Sequence, residues 1–161
     1  MPGGVNDWIL WRAMNANYRL GTPEGAQRLA KLASTEGVPV PIRVEALRDL
    51  GDWDTPPGRD RLMNLWRPLP AAGRDAKVAR DAAASVVEGL AKNSKTPNHV
   101  RVAATNLMRQ LGLGDPATLA ATVEDVKASP EVRVAALASL VASKDQRVME
   151  AVEAALKDND A

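Results

Sequence analysis

With 161 residues, 45% of them hydrophobic and 25% charged, the chain is long enough to bury a sizeable core and has the composition of an ordinary globular protein. Only 3% of the residues are aromatic and none is Phe, so the core must consist of small aliphatic side chains, which favours packed helices over sheets. The formal net charge of +1 argues against a broad polyanion-binding surface, and the absence of cysteine excludes disulfides, thiolate metal sites and covalent haem attachment within this chain.

Apolar residues recur every three or four positions along most of the chain, which predicts a succession of helices. Four capping residues stand directly before a proline, an arrangement typical of the first turn of a helix: Thr22, Thr96, Asp115 and Ser129. The spacing predicts eight helices, near residues 6–20, 23–36, 41–51, 75–92, 98–112, 116–128, 131–143 and 145–157. We expect the second to the seventh to form three hairpins, flanked by a capping helix at each end.

The first predicted helix carries two tryptophans, Trp8 and Trp11, on adjacent turns. We expect them to cover the open end of the helical stack; alternatively, they packed on a domain that this chain lacks. The opening MPGGVND has neither the charged nor the apolar region of a signal peptide. The prediction is therefore a single domain over residues 1–161, excised from a longer multidomain chain.

Three of the predicted helices share one sequence repeat, in which an aliphatic residue, Arg and Val precede an alanine at a fixed distance. The copies begin at residues 41, 98 and 131 and read PIRVEALRDL, NHVRVAATNLM and EVRVAALASL. The repeated arginines are Arg43, Arg101 and Arg133. They could line a groove for an anionic partner. The favoured interpretation is structural: each pairs with an acidic residue of a neighbouring repeat and fixes the stacking.

Glu45 occupies a repeat position at which the other two copies have alanine. This position faces the packed side of the helix, where an uncompensated carboxylate would be strongly destabilising. We therefore predict that Glu45 anchors the segment that follows, by accepting hydrogen bonds from its backbone amides or from one of its arginines, Arg59, Arg61 or Arg67.

Residues 52–73 interrupt the helical pattern and are expected to form an insertion between the first two hairpins. Trp53 and Trp66 bracket a Pro-Pro pair, and residues 60–66 have the spacing of a short helix. One interpretation is a recognition loop, because Trp and Arg are enriched at binding hot spots. The favoured one is a clamp that buries both indoles, because a long loop needs anchorage. In an intermediate arrangement, the indoles are buried and the arginines face outward.

The sequence contains no catalytic constellation that we can identify. The single histidine, His99, has no nearby partner for a zinc site or a catalytic triad, and no phosphate-binding glycine loop or nucleophile elbow occurs. Residues 59–80 hold six basic and two acidic side chains, a pattern that is more often a solvated surface than a phosphate site. We predict no enzymatic activity, no cofactor and no metal site.

The three-copy Val-Arg repeat resembles the HEAT type of helical repeat, which implies an all-α fold: a short right-handed α-solenoid of about three hairpins. Three longer stretches are similar to a narrower family: NYRLGTPEGAQRLAKLA from residue 17, RVEALRDLGDWDTPPGRDRLMNLWRPLP from residue 43 and VRVAALASL from residue 132. Together they resemble the helical-repeat region of large exported bacterial dehydrogenase-like proteins. Those proteins also carry a sugar-dehydrogenase-type β-propeller and a cytochrome c-like domain with a CxxCH haem motif.

The resemblance implies a non-catalytic interaction or scaffold module in an extracytoplasmic, multidomain protein. Its expected partners are neighbouring domains of the parent chain or a docking protein. Haem binding and dehydrogenase chemistry do not transfer, because the chain has neither CxxCH nor propeller repeats. The alternative is a nucleic-acid-binding HEAT-like protein of the DNA-glycosylase type, against which the near-neutral charge counts. A third, a helical-repeat chromophore lyase or its partner subunit, rests on analogy of fold.

Overall fold

The computed structural model describes residues 7–70 and 72–156, and this part of the chain is mainly helical. Its helices are α1 (Asp7–Leu20), α2 (Pro23–Ser34), α3 (Val40–Gly51), α4 (Ala76–Ala84), α5 (Val87–Lys92), α6 (Asn98–Leu111), α7 (Pro116–Glu124), α8 (Pro130–Ser143) and α9 (Val148–Leu156). Two short strands, β1 (Arg59–Asp60) and β2 (Leu65–Trp66), lie between α3 and α4. The predicted all-α class is confirmed.

The chain divides into two compact units, Met1–Val86 and Val87–Ala161. In the first unit, α2 packs against α1, α3 and α4. In the second, α6 packs against α5 and α8, while α7 packs against α8 and α9. The two helices of each expected hairpin are therefore in contact: α2 with α3, α5 with α6, and α7 with α8. That the whole chain is a single domain stays a prediction.

The repeat positions supply much of the core. In α3, α6 and α8, the residue before the repeated arginine is buried, as are the residues four and eight positions further on: Ile42, Ala46, Leu50, Val100, Ala104, Met108, Val132, Ala136 and Leu140. This spacing places them on one face of each helix. Burial of a large aliphatic side chain contributes roughly 1.5–3 kcal/mol, and the alanines allow the helices to approach closely.

The repeated arginines make the same contact in all three hairpins. In each, Nε donates to a backbone carbonyl ten residues earlier, near the end of the preceding helix, at 2.8–3.1 Å: Arg43 to Ala33, Arg101 to Ala91 and Arg133 to Val123. The last carbonyls of a helix lack an intrahelical partner and lie at the negative end of its dipole, so a guanidinium suits them. The prediction gave each guanidinium an acidic partner in a neighbouring repeat; in the structure, the Nε of each donates to a carbonyl of its own hairpin.

The ends of the helices agree with the predicted signals in part. Thr22 and Asp115 cap α2 and α7 by accepting from backbone N–H groups of the first turn. Thr96 does not cap α6, because Pro97 occupies the N-cap, and Ser129 makes no side-chain capping bond at α8. Gly112 ends α6 in the left-handed region at φ +62, as expected of a C-terminal glycine.

The helix predicted over residues 75–92 is interrupted. The hydroxyl of Ser85 donates to the carbonyl of Ala82 at 2.8 Å, and the Val86 N–H donates to that of Ala83 at 2.9 Å. Bonds to the third residue back tighten the turn and end α4.

The insertion forms a β-hairpin in place of the expected short helix. β1 and β2 pair antiparallel, with Arg59 opposite Trp66. The helix predicted over residues 60–66 is wrong because Asp60 Oδ1 accepts from the N–H groups of Leu62 and Met63, both at 3.0 Å. This side chain replaces the helical carbonyl acceptor and closes a turn instead.

Candidate functional site

A cluster of charges joins the insertion to α3. The guanidinium of Arg61 donates from Nε to Glu45, from Nη1 to Asp52 at 2.7 Å, and from Nη2 to Asp49 at 2.6 Å. The three acidic residues lie at i, i+4 and i+7 along α3 and its C-cap, which places them on one side of the helix. The predicted bond from an insertion arginine to Glu45 is present, with Arg61 as its donor. We call these four residues the Arg61 cluster.

The Arg61 cluster contains more carboxylates than cations. Asp49 is 3% exposed, and this burial raises its pKa to about 7; Arg61 opposes the rise and Glu45 adds to it. Burial would lower the pKa of Arg61, but the carboxylates of Glu45 and Asp49 outweigh it and raise that pKa. Among the described residues, Oδ2 of Asp49 has no hydrogen-bond partner. Asp49 thus takes up a proton at a higher pH than an aspartate in water does.

Asp60 joins the hairpin to α1. Its side chain is fully buried, and it accepts from Asn15 Nδ2 at 3.2 Å and from Arg19 Nη1 at 3.3 Å, in addition to the turn amides. Burial acts to raise the pKa of Asp60, but the hydrogen bonds, those from the Met63 N–H and Asn15 foremost, outweigh it and lower the pKa. Arg67, a predicted site residue, lies 3.6 Å from the same carboxylate.

Trp53 is a buried anchor, as the clamp interpretation predicts for this indole. It is 1% exposed and meets Tyr18 edge to face, with ring centroids 6.2 Å apart. The guanidinium carbon of Arg74 lies 4.4 Å from the Trp53 ring centroid and 4.8 Å from that of Tyr18. Arg74 also donates to the backbone carbonyls of both residues. Cation–π contact and hydrogen bonding together fix the first part of the insertion.

Trp66 lies on the outside of the hairpin, so the prediction that both indoles are buried is wrong. It is 71% exposed, and the neighbouring Leu65 and Met63 are 52% and 47% exposed. We call these three residues the apolar tip. The indole packs on the backbone of Gly58, where a Cβ would come within 2.3 Å of the ring. Trp66 is therefore exposed to solvent and yet held against the hairpin.

Most of the basic side chains between residues 59 and 80 have partners within the protein. Arg61 and Arg74 are engaged as described, and Lys77 pairs with Asp81 on α4. Arg59, another predicted site residue, is exposed and donates from Nη1 to the carbonyl of Asn64 at 2.8 Å. Of these side chains, Arg61, Arg67 and Lys77 face carboxylates, which compensate part of the positive charge of the segment.

A cavity of about 470 Å³ lies between α1, α3 and the insertion, within the first unit. Its apolar wall consists of Trp8, Trp11, Met14, Pro57, Leu62 and Leu69. Its charged lining consists of Arg19, Glu45, Arg48, Asp49, Arg59, Asp60 and Arg61. The volume and the mixture of apolar walls with a few polar groups are typical of small-molecule sites. That the two tryptophans of α1 cover the end of a helical stack stays a prediction.

The sequence contained a signal for two further residues of this site. Acidic residues at i, i+4 and i+7 beside an arginine-rich segment indicate a shared guanidinium, which adds Asp49 and Asp52 to Glu45. Asp60 gave no such local signal, because its side-chain partners Asn15 and Arg19 are 45 and 41 residues away.

Within residues 7–70 and 72–156, no group of three or more His, Cys, Asp or Glu side chains could hold a metal ion. No helix in these ranges is long and apolar enough to cross a membrane. Searches of protein-family models, of curated proteins and of solved structures gave no match to this chain. The resemblance to HEAT repeats and to exported dehydrogenase-like proteins therefore stays an expectation from the sequence.

Proposed function

We propose that this chain is a non-catalytic protein-interaction module, a short HEAT-like α-solenoid. It orders or docks the domains of a larger extracytoplasmic, dehydrogenase-like protein. The site through which it docks is the apolar tip of the insertion.

The repeat part of the proposal is supported by a contact that recurs at equivalent positions. Arg43, Arg101 and Arg133 each donate to a carbonyl ten residues earlier, and the repeat positions around them are buried in the same way. A helical hairpin of this kind cannot bury its apolar face alone, so repeats of this type stack on their neighbours.

The single observation that carries the docking role is the placement of Trp66. An indole that is 71% exposed is costly to keep in water, and two more exposed apolar residues of the same hairpin lie beside it. The ring already rests on Gly58, so binding a partner requires little further ordering of this side chain. Exposed, preorganised tryptophans are typical of the few residues that dominate binding energy at interfaces.

The test measures binding of this chain to purified β-propeller and haem domains of the dehydrogenase-like proteins that it resembles. We expect one of these domains to bind the wild type. Trp66→Ala should weaken that binding at least tenfold, because a hot-spot tryptophan contributes roughly 2 kcal/mol or more. Gly58→Ala keeps the indole but displaces it, since the new Cβ would lie 2.3 Å from the ring, and should weaken binding in the same direction.

The matched control is Val126→Ala, which removes apolar surface from a residue that is 76% exposed in the second unit. This variant should bind as the wild type does. If Val126→Ala weakens binding as much as Trp66→Ala, the tip is not the docking site. If the wild type binds neither domain, the proposed place in a dehydrogenase-like protein is wrong.

A further inference from the structure

The cavity of the first unit does not include Trp66, so an inference from its lining is independent of the docking proposal. Two indoles, Trp8 and Trp11, and the side chain of Leu62 form much of its apolar wall. Aromatic walls of this kind suit a flat apolar or aromatic body, which stacks on them at offset or edge-to-face geometry.

The charged lining has little acceptor capacity left for a cation. Both carboxylate oxygens of Asp60 accept hydrogen bonds from side-chain or backbone donors, and its side chain is fully buried. One oxygen of Glu45 and one of Asp49 are occupied by Arg61, and the other oxygen of Glu45 lies 3.9 Å from Arg48 Nη1. The remaining oxygen of Asp49 is enclosed by protein atoms and out of reach of a ligand in the cavity.

Unused donor capacity, by contrast, is present on two arginines of the lining. Within the part of the chain that the structure describes, Arg48 makes one ion pair, to Glu45 at 3.9 Å, and its side chain is 64% exposed. Arg59 uses Nη1 alone, to the backbone and side chain of Asn64, so Nε and Nη2 stay available. A guanidinium presents its donors in a fork that matches the geometry of a carboxylate.

We propose that this cavity binds a small aromatic carboxylate, with its ring against Trp8, Trp11 and Leu62 and its carboxylate held by Arg48 and Arg59. The lining has four arginines against three acidic residues. The carboxylate oxygens of this lining are bonded to protein donors or enclosed, except Oε2 of Glu45, which lies beside Arg48. An anion therefore adds hydrogen bonds that the free protein lacks, whereas a cation would have to compete with Arg48 for the one open oxygen, Oε2 of Glu45. A volume of about 470 Å³ admits a ligand of one or two rings.

The test uses benzoate as the probe, with three ligands that each remove one feature of it. Benzamide keeps the ring and loses the charge, benzylammonium reverses the charge, and acetate keeps the carboxylate and loses the ring. Titrations of the full chain at pH 7, followed by ligand-observed NMR, give the four dissociation constants. We expect benzoate to bind at least tenfold more tightly than each of the other three.

Two variants locate the carboxylate. Arg48→Gln and Arg59→Gln replace exposed side chains and should preserve the fold, which the melting temperature of each variant checks. Each should bring the dissociation constant of benzoate to within about threefold of that of benzamide. Arg28→Gln is the matched control, because Arg28 is an exposed arginine of the same unit that contacts Asn17 and does not line the cavity. This control should bind benzoate as the wild type does.

Several results overturn the proposal. Equal binding of benzoate and benzamide would show that the arginines hold no anion, and tighter binding of benzylammonium would reverse the sign of the site. Equal binding of acetate and benzoate would place the anion on the surface, outside the aromatic wall. The proposal also fails if benzoate does not bind, or if Arg28→Gln weakens its binding as much as the two cavity variants do.

Discussion

The helical hairpins and the insertion both hold two segments of chain together, and they do so by different means. In the hairpins, an apolar face joins the helices and one guanidinium donates to a backbone carbonyl, as Arg43 does to Ala33. In the insertion, Arg61 meets three carboxylates, and apolar burial is concentrated at Trp53. Removal of Arg43 therefore deprives one carbonyl of this donor, whereas removal of Arg61 leaves three buried or partly buried carboxylates without their shared cation.

The largest expected effect comes from Arg61→Met, which keeps the length of the side chain and removes its charge. Three carboxylates would be left close together, with side chains that are 5–32% exposed and no shared cation. Breaking a buried ion pair by removing one partner costs about 3–5 kcal/mol. We expect a loss of this size in the free energy of unfolding of the first unit, measured by urea denaturation.

The control for this variant is Arg48→Met, which removes an arginine of α3 whose ion pair to Glu45 is long and exposed. Its cost should stay below about 1 kcal/mol, as is usual for surface pairs. Similar losses for the two variants would show that the Arg61 cluster is no stronger than a surface contact.

The second prediction is a pH dependence that originates in the Arg61 cluster. The pKa of Asp49 is about 7 in the folded protein, above its usual value, so the folded state binds this proton more tightly than the unfolded state does. The resulting stabilisation is complete below the unfolded pKa near 3.8 and is lost as the pH rises through about 7. A single group changes the free energy of unfolding by at most about 1.4 kcal/mol per pH unit.

Asp49→Asn isolates the contribution of Asp49 to the pH dependence, because an amide does not titrate. The charged and titratable groups around this side chain, Glu45, Asp52, Arg61 and Tyr18, stay in place. The variant should lose the decline in stability between about pH 5 and pH 7, measured by thermal unfolding across that range. The acid limb should remain, because Asp60 has a lowered pKa and its stabilisation disappears as the pH falls below about 4. An unchanged decline in the variant would assign it to another group.

The helical hairpins were the predictable part of this protein, because their signals are local and agree with one another. Apolar spacing marked the buried faces, and Thr22 and Asp115 marked helix starts directly. The register of the repeat also identified residues in equivalent environments, such as Ile42 and Val100. What the pattern could not supply was the partner of each arginine, since a free carbonyl at a helix end leaves no trace in the sequence.

In the insertion, only the contact made by a charged residue in an unusual position could be predicted. Glu45 in an alanine position pointed to an insertion arginine, and Arg61 is bonded to it. The β-hairpin was not predicted, because its apolar residues have helical spacing. Its turn depends on Asp60, which accepts from the amides of Leu62 and Met63 and is also bonded to Asn15 and Arg19 of α1. The different exposures of Trp53 and Trp66 follow from that long-range arrangement, which local periodicity does not encode.

The smallest expected effect comes from Arg43→Met and Arg101→Met. These two variants test the arginine contact of the helical hairpins. Each variant keeps the buried stem and leaves one carbonyl, that of Ala33 or of Ala91, without its donor. The loss of a hydrogen bond to a charged group costs about 1.5–3 kcal/mol, which is below the loss expected for Arg61→Met. Because the two arginines make the same contact in different units, their variants should lose similar amounts in urea denaturation. A loss at Arg43 that matched the one at Arg61 would remove the distinction between hairpin and insertion. Unequal losses at Arg43 and Arg101 would show that the repeated contact differs in strength from one hairpin to the next.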